Sequence, residues 1–239
     1  PDGFRADEHG MRYASPGLPV PEVLAIGEGF GRWFAISRRH HGRILEAVGP
    51  DEAATLGPTV VDLLAALRTV PDAGVEVSPW QDWLLAGITD RPGHHTAGWR
   101  ARLATDDGVD RTFRAADQRI RALLEACPDR RELVHSDLLH ANVLVTPRAD
   151  AVRAVFSWKC ATWGDGVYDL AWCTFWGRWH PGIGALDLWD RVVPTLPSAP
   201  ADVAVRHHAY ELQIGASHLG WYATLGDHEN LRWTVRQLD

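Results

Sequence analysis

Asp137, Asn142 and Ser157 are the residues in this chain whose types and spacing point to chemistry. Asp137 and Asn142 stand five apart in the stretch from Val134 to Trp158, VHSDLLHANVLVTPRADAVRAVFSW. A carboxylate and a carboxamide so spaced, at the mouth of a hairpin, suit phosphoryl transfer. The Asp accepts the proton of an attacking hydroxyl and the Asn carbonyl holds a magnesium ion, while a second carboxylate at the end of the return strand clamps the same ions against nucleotide phosphates. Here that last position is Ser157, and a hydroxyl is a neutral, weak ligand for a hard dication.

The elements that must position these groups are legible nearby. Val143-Leu144-Val145 and the run Val152 to Phe156 flank a Thr-Pro-Arg-Ala-Asp turn, the pattern of a β-hairpin. Antiparallel pairing about a turn between Arg148 and Asp150 returns position 157 to the neighbourhood of Asn142. Glu132-Leu133-Val134 reads as a short strand that delivers His135 to the loop before the hairpin. After Trp158 a loop with Gly164, Asp165 and Gly166 leads into a helix from about Val167 to Trp179, and Asp165 and Asp169 are the nearest carboxylates that could substitute for the missing ligand.

HSDLLHANVLV followed by AVFSWKCATWGDGVYDLAW resembles the aminoglycoside phosphotransferase family, whose pattern is H-x-D-x-x-x-x-N and then (I/L)-D-W and G-D-x-x-(Y/W)-D-L-A. The hygromycin B phosphotransferase branch is the most similar, because PGLPVPEVLAIGE, WFAISRRHHGRIL, SPWQDWL and WCTFWGRW fit it in the same order. The resemblance implies an α+β, protein-kinase-like fold with a truncated N-terminal sheet and a large, mostly helical C-terminal lobe. The expected divisions are 1–36 for the remnant of the N-terminal lobe, 37–45 for the hinge and 46–239 for the C-terminal lobe. Asp2-Gly3-Phe4 aligns just after the family's third strand, which puts the nucleotide-covering hairpin and the strand with the phosphate-binding basic residue upstream of Pro1.

By the same resemblance, ATP and Mg²⁺ are the cofactors. Asp137 is the catalytic base, Asn142 the metal ligand, and Ser37 and Arg38, with Arg39, form the hinge that meets adenine through backbone groups. Ser157 occupies the position of the family's metal-binding Asp at the nucleotide site, and His135 is structural rather than a general base. Asp165 and Asp169 brace the catalytic loop, Glu8 is the nearest counterpart of the helix acid that pairs with a strand-three cation, and Asp187, Asp190 and Glu211 are candidates for antibiotic contacts. The function implied is ATP-dependent phosphorylation of a small-molecule hydroxyl, on an aminoglycoside-type antibiotic, slowed by loss of the Asp. The alternative is a silent kinase-like module that binds a ligand or a partner chain.

Composition limits the partners. At 239 residues with 46% hydrophobic content the chain can bury a sizeable core, and a net charge of −7 argues against nucleic acid and suits a cationic small molecule. Three cysteines without C-x-x-C spacing indicate neither a disulfide framework nor a zinc site, and a reducing cytoplasm is the expected home. No signal segment and no apolar run of membrane-spanning length is present. His94-His95 lacks a third ligand at zinc spacing. Of 12 tryptophans, Trp158, Trp163, Trp172 and Trp176 cluster, and the pair four apart on one helix reads as core before it reads as a sugar-binding face.

Other helices are expected around Ala6 to Tyr13, from Thr59 with a capping-box-like start at Asp62 and packed under the hinge, from Trp80 to Ile88, near Trp99 to Leu103, from Asp110 to Ala126, from Ala201 to Leu225 and from Asn230 to Leu238. Strands are expected at Glu22–Gly27 and Trp33–Ser37 around a Gly-rich turn.

Overall fold

A computed structural model describes residues 2–72 and 74–239. They fall into two compact units: residues 2–77 with 131–197, and residues 78–130 with 198–239. Residues 46–77 and 131–197 cluster with the N-terminal segment, and Arg43–Ile44, inside the expected hinge, pairs with Leu144 and Val145.

In the first unit, α1 (Asp2–Gly10) opens the chain and a single 3-10 turn (Met11–Tyr13) follows it. The helix begins four residues ahead of the expected Ala6. Gly10 lets it approach Trp158, since a Cβ there would stand 2.5 Å from the indole Cγ. β1 (Val23–Gly29) and β2 (Arg32–Ser37) form an antiparallel hairpin whose loop residues Phe30 and Gly31 both have positive φ (54° and 71°), as a two-residue turn matching strand twist requires. The proline-restricted segment before β1 runs beside the hairpin of residues 143–155, with Pro19 O accepting from Val155 N–H at 2.8 Å.

β3 (Arg43–Ile44) precedes α2 (Ala53–Arg68), which buries Leu56, Val60, Leu63, Leu64 and Leu67. α2 starts six residues before the expected Thr59. Pro58 is accommodated inside the helix instead of opening it, and the Thr59 hydroxyl reaches back to Ala149 O (3.2 Å) rather than capping. The helix contacts the Glu132–Val134 strand and the short helix at 188–192.

In the second unit, α3 (Trp80–Gly87), α4 (Trp99–Leu103) and α5 (Asp107–Leu123) lead towards a long C-terminal pair. α5 begins at Asp107 rather than Asp110 because Asp106 caps it, accepting from the N–H groups of Gly108 and Val109.

Back in the first unit, β4 (Glu132–Val134), β5 (Val143–Val145), β6 (Val152–Val155) and β7 (Thr162–Gly164) supply two small antiparallel sheets, β3-β5-β6 and β4-β7. α6 (Val167–Gly177) is buried along almost its whole length, the mark of a core helix, and α7 (Pro181–Gly184) and α8 (Leu188–Val192) follow it. The second unit closes with α9 (Pro200–Leu225) and α10 (His228–Leu238). Its core joins Ile88, Trp99, Leu103, Phe113, Ile120, Leu212 and Leu219. No helix of the described residues is long and apolar enough to cross a membrane.

Candidate active site

β4 ends at Val134 and β5 begins at Val143, and the loop between them carries the candidate chemistry. Asn142 Nδ2 donates to Asp137 Oδ2 at 2.9 Å and to Asp137 O at 2.8 Å, so both amide hydrogens are committed to the same residue. The carbonyl Oδ1 of Asn142 makes no hydrogen bond among the described residues. Asp137 is half-buried, and its other oxygen, Oδ1, accepts from His140 Nδ1 at 2.8 Å. A carboxylate only accepts, so the His140 proton lies on Nδ1.

The hairpin pairs Val143 with Val155 and Leu144 with Ala154, and Phe156 N–H donates to Asn142 O at 2.8 Å. Ser157 is therefore the next residue along from the Asn142 backbone. It adopts a left-handed conformation (φ 63°, ψ 55°), and its hydroxyl makes no hydrogen bond among the described residues. Ser136, His140 and Ala141 also have positive φ. Such conformations in non-glycine residues cluster where a site over-determines its backbone.

His135 is fully buried. Its Nδ1 accepts from Asp137 N–H (3.2 Å), which leaves the proton on Nε2 for Phe156 O (2.8 Å). With both ring nitrogens engaged and burial holding its pKa below the usual histidine value, the imidazole ties loop to strand and is not free to act as a base. It packs edge-on against Trp158, whose backbone N–H is held by Asp7 of α1 at 2.8 Å.

Asp169 on α6 accepts from His135 N–H and Ser136 N–H, each at 2.8 Å. Burial raises this carboxyl to about 7, against the pull of the two N–H donors and of Arg68. Between the unfolded carboxylate range and about pH 7 the native state thus holds a proton that the unfolded chain has released. The stability it contributes is greatest at low pH and declines as pH rises through that window. Asp169→Ala leaves two buried N–H groups without an acceptor. That should destabilise the protein by about 2–4 kcal/mol and lower Tm by roughly 5–15 °C, measurable by thermal denaturation.

Asp165 is buried as well and accepts from Val167 N–H at 3.2 Å, at the start of α6. Trp172 and Trp176 are buried core residues in T-shaped contact with the His140 ring, at 5.8 and 5.1 Å between centroids.

Ser37 ends β2 and is exposed. The Arg38 N–H is taken up by Glu22 O (2.7 Å), and its guanidinium by the Glu22 carboxylate (2.6 Å). Neither residue makes a hydrogen bond to the loop of residues 135–142 among the described residues. Asp187 and Asp190 line a surface cavity with Thr174, Arg178 and Trp189, whereas Glu211 belongs to the second unit, beside His207. Among the described residues no group of three or more His, Cys, Asp or Glu side chains is placed to hold a metal, the His94-His95 pair included.

Two contacts here carry no signal in the sequence. One is His140 on Asp137. The other is Glu46, whose Oε1 accepts from Ala141 N–H at 2.7 Å across 95 residues. The first sits at a variable position of the motif, and the second depends on tertiary approach.

The phosphotransferase enzyme family matches residues 7–208. Hygromycin-B 4-O-kinase of Escherichia coli is 30% identical over 253 residues, spanning 100% of this chain and 70% of that protein. A thermostable mutant of aminoglycoside phosphotransferase APH(4)-Ia, in ternary complex with AMP-PNP and hygromycin B, superposes with a TM-score of 0.85 at 28% identity, covering 100% of this chain and 81% of that one. The GDP complex of aminoglycoside 2'-phosphotransferase-IIIa shares the fold, with a TM-score of 0.64 at 15% identity over 99% of this chain and 80% of that one. With the loop Asp137 to Asn142 at its centre, this chain belongs to the phosphotransferase enzyme family and has its kinase-like α+β fold.

Proposed function

We propose that the chain transfers a phosphoryl group from ATP to a hydroxyl of a cationic aminocyclitol antibiotic of the hygromycin B type, at a rate lowered by Ser157. The observation that carries this reading is the Asp137–Asn142 pair. The carboxylate is held at the loop mouth by the carboxamide, with the carboxamide oxygen unengaged. Asp137 takes the proton of the attacking hydroxyl and fixes its direction of approach. The hygromycin kinase relative supports the substrate class, and the net charge of −7 agrees with a polycation. The cytoplasm, which supplies ATP, is the proposed site of action.

The donor set suits Mg²⁺ in part. Asn142 Oδ1 is available and Ser157 Oγ lies next in line, but both are neutral, and a hard dication favours carboxylate. When bound, the ion would neutralise charge developing on the phosphates. Asp169 is already engaged by the loop it braces.

Ser157 also favours a second reading, a module that binds a ligand or partner without catalysis. Thermal-shift titration separates the two. Millimolar Mg-ATP should raise Tm, and hygromycin B should raise it further, with phosphorylated product accumulating. An unmoved Tm at millimolar nucleotide would remove the kinase reading.

A further inference from the structure

Glu46 lies in the 3-10 turn Leu45–Ala47 that follows β3. That turn is firmly placed: Leu45 is buried, β3 pairs Arg43 with Val145 and Ile44 with Leu144, and Arg43 is bound to Glu52. Glu46 Oε1 accepts from Ala141 N–H at 2.7 Å, while its Oε2 is buried with no hydrogen-bond partner among the described residues. Withdrawing a carboxylate oxygen from water without a compensating bond is unfavourable. The side chain is therefore held there by what its other oxygen does.

What that oxygen does is to fix a strained turn. His140 and Ala141 are consecutive non-glycine residues with φ of 62° and 67°. Such residues stay left-handed only where their surroundings insist on it. The turn sets both contacts to the base, His140 Nδ1 on Asp137 Oδ1 and Asn142 Nδ2 on Asp137 Oδ2. Among the described residues, the Ala141–Glu46 bond is the one hydrogen bond that ties the left-handed pair to a residue outside the loop.

We propose that Glu46 is a positioning residue for phosphoryl transfer: by holding Ala141 N–H it fixes the left-handed pair and so sets Asp137 against Asn142. This rests on the phosphotransferase reading given above.

Three variants of the full chain test it: Glu46→Ala, Glu46→Gln, and Glu46→Ala combined with Ala141→Gly. Glu46→Ala should lower kcat for hygromycin B phosphorylation by about 10- to 100-fold through misplacement of the base, with the nucleotide KM unchanged. Glu46→Gln keeps the acceptor and exchanges one unpartnered buried atom for another, so it should recover most of kcat. Glycine takes up positive φ without steric penalty, so Ala141→Gly should restore activity in the absence of Glu46.

Amide hydrogen exchange at position 141 gives a readout independent of turnover, and it should accelerate in Glu46→Ala and return in Glu46→Gln. Unchanged kcat with unchanged exchange in Glu46→Ala would overturn the proposal, as would failure of both rescues. If the wild type phosphorylates no aminocyclitol, the activity reading falls, while exchange at Ala141 still decides whether Glu46 holds the turn.

Discussion

Asp137→Asn is expected to lower kcat for hygromycin B phosphorylation by about 10²- to 10⁴-fold, the range that a positioned general base supplies, with little change in KM or Tm. The small structural effect follows from the hydrogen-bond pattern. Asp137 Oδ2 accepts from Asn142 Nδ2 and Oδ1 accepts from His140 Nδ1. An asparagine keeps its oxygen towards Asn142 and turns its NH₂ towards His140, whose Nδ1 becomes an acceptor when the ring proton moves to Nε2. The loop keeps its bonds, and what disappears is the negative charge that receives a proton. Initial rates at saturating Mg-ATP and hygromycin B, together with Tm, check this. A kcat within a few-fold of wild type would show that Asp137 is only a structural member of the loop.

What the sequence could disclose about this site follows from the range of each interaction. Two short apolar runs and a turn signal located the hairpin, and pairing geometry alone brought position 157 back towards Asn142, as the Val143–Val155 register and the Phe156–Asn142 bond show. Helix existence was equally legible, because apolar periodicity survives in α2 and α5. Helix starts were less so. Pro58 reads as a boundary yet sits inside α2, and Asp106 caps α5 so that it starts at Asp107, ahead of the expected Asp110.

Local pattern does not encode contacts between distant segments. Asp7 on the Trp158 N–H and Glu46 on the Ala141 N–H bridge 151 and 95 residues and depend on how α1 and β3 dock. Nor does it encode the left-handed backbone at Ser136, His140, Ala141 and Ser157, because none of these is glycine and the surroundings impose the conformation. The clustering of 78–130 with 198–239 has the same origin, since α5 and α9 meet only in the folded unit.

Ser157→Asp should raise kcat by about 10- to 100-fold, the inverse of what losing one preorganised electrostatic group typically removes. Residue 157 already has the backbone that an aspartate accepts. Its φ of 63° and ψ of 55° are left-handed, a region in which Asp and Asn are several-fold enriched over other non-glycine residues. The Ser157 hydroxyl makes no hydrogen bond among the described residues, so its replacement breaks none. The new carboxylate would join Asp137 near Asn142, and two like charges at close quarters disfavour each other until a cation lies between them. The variant should therefore be slightly less stable than wild type without Mg²⁺ and gain in Tm when Mg²⁺ alone is added, whereas wild type gains little. Steady-state kinetics across a Mg²⁺ titration should show the half-saturating concentration falling as kcat rises. If neither kcat nor the Mg²⁺ dependence moves, the missing carboxylate is not what limits this chain, and the silent-module reading gains accordingly.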